Sequence, residues 1–246
     1  DEKAEIYHER FVRKKAGPFG SVKHLIASAN LKKGDKVLDV GTGTGIVAIE
    51  AAKAVGKKGI SDKTIIIFTS EHGDMFGKHG RFMRGGPLRG TFYDGVLHIP
   101  LIIKNPKMSA KTLDGLVQHI DLMPTLLDFL GLKLQSNIAG KSLIPLIFQN
   151  KEVNSYIFAG SQYTPSANNP YFFKKTKVSA IRDNKWKLIE ETTFDQEMQN
   201  SVSKEIELYD IVNDREELHN LAGIRSDILR DLQSKLNAWS KKARER

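Results

Sequence analysis

The chain has 246 residues, enough for one large domain or two small ones. Hydrophobic residues make up 40% of it and charged residues 27%, so it can bury a core like an ordinary globular protein. It has no cysteine, which excludes disulfides, thiolate catalysis and cysteine-bound zinc. Its net charge of +9 is thinly spread and forms no basic stripe interleaved with aromatic residues, so we expect no nucleic acid as a partner.

The sequence contains no targeting or membrane signal that we can identify. No run of about 18 apolar residues occurs, and we therefore expect no membrane span or membrane partner. The opening stretch "DEKAEIYHERFVRKK" has no apolar segment of the kind found in secretory signals. The expected localisation is cytoplasmic, by default.

In chain order, the first clear element is a βαβ unit over residues 36–70. "KVLDVG" indicates a short buried strand, "GTGTG" a tight turn and "IVAIEAAKAV" an alanine-rich helix. "TIIIFTS" follows, with the β-branched residues of a strand that is buried on both faces. We expect Ile65–Ser70 to lie parallel to Val37–Val40, with residues 46–56 as the crossover helix.

The middle of the chain alternates a long loop with regular elements. "EHGDMFGKHGRFMRGGPLRGTFYDG" is a glycine-rich loop whose length suggests a functional role. "HIPLIIKNP" predicts a strand, and "LVQHIDLMPTLLDFLGL" predicts a helix that ends at Gly131.

The C-terminal third predicts antiparallel strands and a closing helix. "KVSAIRDNKWKLIEE" alternates as a hairpin does, with "RDN" as its turn. "SDILRDLQSKLNAWSKKA" predicts an amphipathic helix with Ser226 as its N-cap. Its apolar stripe comprises Ile228, Leu229, Leu232, Leu236 and Trp239.

The glycine turn resembles the first motif of class I S-adenosylmethionine-dependent methyltransferases. In "VLDVGTGTG", that resemblance places Asp39 at the end of the first strand and Gly41, Gly43 and Gly45 against the cofactor. The likeness covers about residues 4–59. The next strand ends at Glu71 and is not the one this family requires, and no later methyltransferase motif follows. A remnant turn without a completed pocket is the alternative.

From residue 61 onward the motifs resemble the sulfatase branch of the alkaline phosphatase superfamily. "TIIIFTSEHGD" is similar to the family's "TSDHG" strand end, and "RGTFYDGVLHIPLIIKNP" to its "KGTFYEGGIRVPLII". "DLMPTLLDFLGL", "AGKSLIPLI" and "ELYDIVNDREELHNLA" also match family segments, in family order. The resemblance implies a sheet that continues through Leu101–Lys104. It also implies an exposed edge that favours self-association.

The sulfatase resemblance assigns several site residues. Glu71 and His72 take the places of the late pair of metal ligands, although the family has Asp where this chain has Glu71. Arg89 matches the family's sulfate-contacting lysine by its neighbours, whereas counting forward from His72 favours Arg84. The implied cofactor is a divalent metal, with calcium expected, and the implied substrate is a small-molecule or glycan sulfate ester. S-adenosylmethionine is the cofactor only under the methyltransferase hypothesis.

A sulfatase also needs a formylglycine nucleophile made from Cys or Ser, and neither stands here in the required motif. We therefore expect a sulfatase-family protein that lacks the nucleophile half and is inactive alone, with no catalytic residue assigned. The alternatives are a methyltransferase fragment and a non-catalytic chimeric remnant. A gene fusion, a rearrangement and a faulty gene model would all read the same near residue 60.

The expected fold class is α/β. It combines a partial mixed or parallel sheet and flanking helices with a small C-terminal antiparallel sheet and a terminal helix. The expected segments are a methyltransferase-like stretch (1–60), a sulfatase-like α/β core portion (61–170) and a sulfatase-like C-terminal subdomain (171–246).

Overall fold

A computed structural model describes part of the chain, which divides into two compact units. The described residues are 37–40, 53, 56–57, 59, 61–82, 84, 88–133, 138–163, 175–195 and 200–244. The first unit comprises Asp1–Gly73 and His98–Lys111, and the second unit comprises Asp74–Leu97 and Thr112–Arg246. The segment boundaries expected near residues 60 and 170 stay a prediction.

The first unit contains a three-stranded mixed sheet. Strands β1 (Val37–Val40) and β2 (Ile66–Thr69) are parallel, and β3 (Leu101–Lys104) is antiparallel to β2 on its other side. Val37 pairs with Ile66, so the parallel pairing predicted from the βαβ pattern is confirmed. Of the predicted crossover helix, residues 53 and 56 are described, and both are helical.

Burial in this sheet differs between its strands. Ile66 and Ile67 of β2 are buried, as a β-branched run in a central strand favours. In β3 burial alternates along the strand, and the side chain of Ile102 is 61% exposed. β3 therefore carries an apolar residue, Ile102, that is largely exposed.

The second unit is built on a four-stranded antiparallel sheet in the order β4-β5-β6-β7. The strands are β4 (Ile157–Tyr163), β5 (Thr176–Arg182), β6 (Trp186–Phe194) and β7 (Ser201–Asp210). The predicted hairpin is β5–β6. Asp183 stabilises its turn, because Oδ1 accepts the N–H groups of Lys185 and Trp186 at 2.7 and 2.6 Å.

The two faces of this sheet are covered by different layers. On one face Val178, Ala180 and Ile189 pack with Phe92 and Tyr93, beside the short helix α1 (Asp94–Leu97). Ile181, Leu188 and Leu208 point to the other face. There they meet the predicted C-terminal helix, whose Leu232 and Leu236 are buried and whose Ile228, Leu229 and Trp239 pack around them. The predicted apolar stripe is thus confirmed.

The C-terminal helix, α4 (Ser226–Arg244), is the longest of the described helices. Helices α2 (Leu122–Phe129) and α3 (Ile144–Gln149) precede the sheet in the chain. Gly131 follows α2 with φ at 65°, as predicted for the residue that ends it. Within the described ranges, no helix combines the length and apolar character needed to cross a membrane.

The segment predicted as one long loop contains short helical pieces. These are the 3-10 helices Lys78–Gly80 and Leu88–Phe92. Tyr93 separates the second of them from α1. The glycine content suggested an irregular loop, but Phe92, Tyr93 and Val96 are buried against the sheet. Tertiary packing therefore outweighs the local tendency of the glycines in the second half of this segment.

Asp121 at the start of α2 is a fully buried structural residue. Its carboxylate accepts the backbone N–H groups of Gln118 and Lys141 at 3.0 and 2.9 Å, and the Asn154 amide at 2.8 Å. These partners satisfy the carboxylate, so its burial is tolerated. Gly140 lies beside it, where a Cβ would stand 1.8 Å from the Ile120 carbonyl oxygen.

Candidate functional site

Glu71 and His72, the predicted metal ligands, lie in the turn that follows β2 in the first unit. The Ser70 hydroxyl donates to the His72 carbonyl at 2.7 Å, which bends the chain directly after the strand. His72 Nε2 then lies 3.6 Å from Glu71 Oε1. The turn therefore brings the two predicted ligands together.

The His72 ring is held in one tautomer. Its Nδ1 lies 2.8 Å from the Gly73 carbonyl oxygen, which can only accept a hydrogen bond. In the neutral imidazole, Nδ1 therefore carries the proton and the lone pair is on Nε2, beside Glu71. This is how a metal-binding histidine is usually oriented by its backbone partner.

The pair fits a divalent cation in donor type but not in number. Glu71 is exposed and His72 partly exposed, so both can reach a ligand. Within the described part of the chain, no group of three or more His, Cys, Asp or Glu side chains is placed to hold a metal ion. Calcium takes about six to eight ligands and magnesium about six, so this pair is at most part of a coordination shell.

The two predicted substrate-binding arginines belong to the second unit. Arg84 is exposed in a bend of the glycine-rich segment. The main chain of Arg89 lies in the 3-10 helix Leu88–Phe92. The helix places Arg89 five residues before Asp94, the first residue of α1.

The predicted S-adenosylmethionine residues are only partly described. Asp39 lies in β1, with its main chain paired to Phe68 of β2. Gly41, Gly43 and Gly45 lie outside the described residues. Their role in binding that cofactor stays a prediction from sequence.

Sequence reasoning missed a buried cluster of charged residues in the second unit. We call Asp94, Arg182, Lys187 and Glu217 the charge cluster. Lys187 Nζ lies 2.7 Å from Asp94 Oδ1 and 2.6 Å from Glu217 Oε1, and Arg182 Nη1 contacts Asp94 Oδ2. The second Glu217 oxygen accepts the Asp94 backbone N–H at 2.7 Å. Two positive and two negative side chains thus offset one another.

Burial and neighbouring charges act in opposite directions on the two carboxyl groups. Burial alone would raise the pKa of Asp94, but Lys187 and Arg182 outweigh it, so the pKa of Asp94 lies below its usual value. Burial raises the pKa of Glu217, and the nearby Asp94 adds to this against the opposing effect of Lys187. Asp94 is therefore the better-stabilised anion of the two.

One sequence signal could have revealed this cluster. Lys187 alternates with Ile189 along β6, so the two side chains share the face that packs against Phe92 and Tyr93. A lysine at an inward-facing position requires a buried anionic partner. Arg182 is directly opposite Lys187 in the β5–β6 pairing, so the two positive charges also require an anion between them.

A second set of contacts holds the glycine-rich segment near this cluster. The His79 ring stacks on Tyr93 with centroids 4.0 Å apart, and its Nε2 lies 2.9 Å from the Glu216 carbonyl oxygen. Lys78 Nζ lies 2.8 Å from the Glu216 carboxylate. His79 and Glu217 both adopt positive φ, which is uncommon away from glycine. Lys78 and Glu216, which precede these two positions in the chain, form the ion pair with each other.

Comparisons with known proteins agree on one family. A family model described as N-sulphoglucosamine sulphohydrolase, C-terminal, matches residues 77–243. Arylsulfatase K of Xenopus laevis is 30% identical over 197 residues, which cover 77% of this chain and 33% of that protein. The chain therefore spans about a third of the length of the curated relatives it matches.

Two solved structures share the fold with a TM-score of 0.65 and 25% sequence identity. One is a 2-O GAG sulfatase, for which the match covers 82% of this chain and 41% of that one. The other was solved in complex with its substrate D-glucosamine-2-N,6-O-disulfate, and the match covers 81% of this chain and 38% of that one. Because the family model spans well over half of the chain and these relatives agree with it, the chain belongs to the sulfatase family of the alkaline phosphatase superfamily, whose C-terminal region it represents.

Proposed function

We propose that this chain is the C-terminal part of a metal-dependent sulfuric ester hydrolase. In this proposal Glu71 and His72 supply two of the metal ligands, and Arg89 contacts the sulfate group. The observation that supports it most is the geometry after β2. Glu71 Oε1 and His72 Nε2 lie 3.6 Å apart, and the Gly73 carbonyl keeps the Nε2 lone pair available.

The residues fit the charge distribution of a sulfate ester. A divalent cation bound at Glu71 and His72 would help to neutralise the negative charge that develops during ester hydrolysis. The planar guanidinium of Arg89 can donate two parallel hydrogen bonds to a tetrahedral oxyanion. Arg84 is the alternative for this contact.

The donor types bear on the identity of the metal. Calcium prefers oxygen ligands, and Glu71 provides one, whereas imidazole suits transition metals such as zinc. Calcium is the ion that we propose first, and manganese is the comparison ion because it accepts carboxylate and also binds imidazole.

The substrate that we propose is a sulfated glycan. One solved relative is a 2-O GAG sulfatase, and another binds D-glucosamine-2-N,6-O-disulfate as its substrate. Each match covers about two fifths of the relative's chain, so the substrate of the present protein is an inference from shared family.

Metal binding by the purified chain tests the ligand assignment. We expect calcium or manganese to bind weakly, with a dissociation constant on the order of 1 mM, because only part of a ligand set is present. Calorimetric titration should show this binding lost in His72→Ala and Glu71→Gln. His98→Ala is the matched control, because His98 is an exposed histidine of the same unit. Equal metal affinity in all four proteins would contradict the assignment.

Turnover tests the proposal that this chain is incomplete. The 246 residues include no cysteine, so a cysteine-derived formylglycine cannot form in them. We expect no hydrolysis of an aryl sulfate above the rate in buffer, since an enzyme without its nucleophile is typically slower by a factor on the order of 10⁴ or more. Steady hydrolysis by highly purified chain, abolished by His72→Ala, would show that these residues suffice for catalysis.

A further inference from the structure

We propose that Lys187 is a positioning residue, which acts through Asp94 to fix the segment that carries Arg89. The inference rests on the proposed function in so far as Arg89 contacts sulfate. Lys187 lies in β6, far along the chain from Arg89, and the sulfatase motifs of the sequence gave it no role.

Asp94 is held at three atoms. Lys187 Nζ contacts Oδ1 at 2.7 Å, and Arg182 Nη1 contacts Oδ2. The Asp94 backbone N–H donates to Glu217 Oε2 at 2.7 Å. Because one contact is to the main chain and two are to the side chain, both the position and the orientation of Asp94 are determined.

Asp94 and Arg89 are joined by a short, packed piece of chain. Arg89 belongs to the 3-10 helix Leu88–Phe92, which packs on β5 and β6, and only Tyr93 separates that helix from Asp94. Phe92 and Tyr93 are buried, and the Tyr93 hydroxyl donates to Glu207 Oε2 at 3.0 Å. A shift of Asp94 is therefore transmitted to the main chain at Arg89.

Lys187 differs from Arg182, the other cation of the charge cluster, in its burial and in the number of carboxylates that it contacts. The Lys187 side chain is 2% exposed and bridges both carboxylates, whereas Arg182 is 25% exposed and, of the carboxylates in this cluster, pairs with Asp94. Without Lys187, Asp94 would keep Arg182 and Glu217 would keep the Asp94 backbone N–H, but the positive charge between the two carboxylates would be gone. Lys187 is thus the residue on which the arrangement of Asp94 and Glu217 depends.

The ion pairs of the charge cluster determine the placement of Asp94 more than they add to stability. A buried ion pair contributes little net stability, because the cost of removing the ions from water offsets their attraction. Its hydrogen bonds are directional, unlike the apolar contacts of Phe92 and Val96 nearby. A cluster of this kind therefore favours one placement of the segment over other packings of similar energy.

The test removes the lysine without leaving an unpaired carboxylate. Lys187→Met keeps the length of the side chain and removes its charge. The double variant Lys187→Met/Glu217→Gln also neutralises Glu217, one of the two carboxylates that Lys187 contacts, while Asp94 keeps its pairing with Arg182. Lys204→Met is the matched control, because Lys204 pairs with Glu190 at 3.0 Å in the same sheet but is 42% exposed. Hydrogen exchange of the whole chain is followed at the amides of residues 89–97, together with thermal unfolding.

We expect the double variant to unfold near the parent temperature while amides 89–97 exchange about tenfold faster, because the segment opens locally. Lys204→Met should change neither measurement. Unchanged exchange of this segment in a folded double variant would overturn the proposal. Loss of the fold in both Lys187 variants would also overturn it, since Lys187 would then support the whole unit and not this segment.

Affinity for inorganic sulfate separates this inference from the proposed function. We expect Arg89→Ala to lower that affinity, and the Lys187/Glu217 double variant to lower it severalfold with Arg89 intact. Combining all three substitutions should add nothing to Arg89→Ala alone, because Lys187 acts through Arg89. An additive loss would contradict the inference. Sulfate binding that is unaffected by Arg89→Ala would refute the role of Arg89, and the exchange of amides 89–97 alone would then decide whether Lys187 fixes the segment.

Discussion

The two units of the chain use ionisable side chains in opposite ways. In the first unit, Glu71 and His72 sit in a turn at the end of a strand and remain accessible. In the second unit, Lys187 and Glu217 are buried, the Asp94 side chain is 19% exposed, and Lys187 forms ion pairs with both carboxylates. A group that binds a ligand needs a free coordination position, whereas a buried ion must already have its partners. The groups proposed to bind a ligand and the groups proposed to position a segment thus differ in their exposure.

The sheets of the two units also differ in strand length and in how far their side chains are buried. The described part of the first unit has three strands of four residues each, and Ile102 on β3 is largely exposed. The second unit has strands of seven to ten residues covered on both faces. Because burial of apolar surface is the main source of stability, these two covered faces are where the described residues of the second unit gain theirs.

Truncating a core side chain of the second unit should have the largest effect. Leu208 is fully buried between β6 and α4, and we expect Leu208→Ala to lower the free energy of unfolding by about 2–5 kcal/mol. Ile102→Ala in the first unit should change it by about 0.5 kcal/mol or less, because that side chain is exposed. Circular dichroism during urea unfolding follows both units, whereas the two tryptophans, both in the second unit, report that unit alone. Equal effects of the two substitutions would contradict the contrast between the sheets.

A smaller but still substantial effect is expected at the buried start of α2. In Gly140→Ala the new Cβ would lie 1.8 Å from the Ile120 carbonyl oxygen, so the backbone must shift at a cost of about 1–3 kcal/mol. Gly223→Ala is the control, because nothing lies within 4 Å of the Cβ that it adds. Thermal unfolding of both variants measures the difference, and a Gly140→Ala protein as stable as the control would disprove the close approach.

At the N-terminus of α4, a pH dependence of stability is expected. The Arg225 side chain and the Ile228 N–H lower the pKa of Asp227 to about 2 from a usual 3.8. A lowered pKa means that the stabilisation is complete above about pH 4 and is lost as the pH falls toward 2. In Asp227→Asn, the free energy of unfolding should therefore depend less on pH in this range. Urea unfolding at a series of pH values measures it.

Arg225 provides the control for the prediction at Asp227. Arg225→Gln should weaken the same pH dependence, because Arg225 Nη2 pairs with Asp227 Oδ2 at 3.0 Å. The two substitutions together should add little to either one alone. Independent, additive effects would mean that Asp227 owes its lowered pKa to another group.

The smallest effect is expected for S-adenosylmethionine. Gly41, Gly43 and Gly45 can form the turn, but partners for the ribose and the adenine are not identifiable in the sequence. We expect calorimetry to detect weak binding at most. Micromolar affinity, lost in Gly43→Val, would show that the first unit carries a cofactor site and would revive the methyltransferase hypothesis.

Periodic patterns were the parts of the fold that sequence reasoning predicted well. The alternating run that became β5–β6 and the stripe of Leu232 and Leu236 on α4 both depend on repeats of two and 3.6 residues. The pairing of Val37–Val40 with Ile65–Ser70 followed from the handedness and length of a βαβ unit. The sulfatase family, too, was recognisable from motifs in chain order, because short motifs survive at about 30% identity.

Sequence by itself determined which residues carry the atoms that the proposed metal and sulfate contacts need, since Glu71, His72 and Arg89 have them whatever their surroundings. Only the tertiary structure decided that Lys187, Asp94 and Glu217 meet, because residues from α1, β6 and the segment after β7 come together there without any local pattern. The same holds for the helix Leu88–Phe92, which forms within a glycine-rich stretch where Phe92 is buried against the sheet. Periodicity is encoded locally, whereas the pairing of distant charges depends on which faces the fold brings into contact.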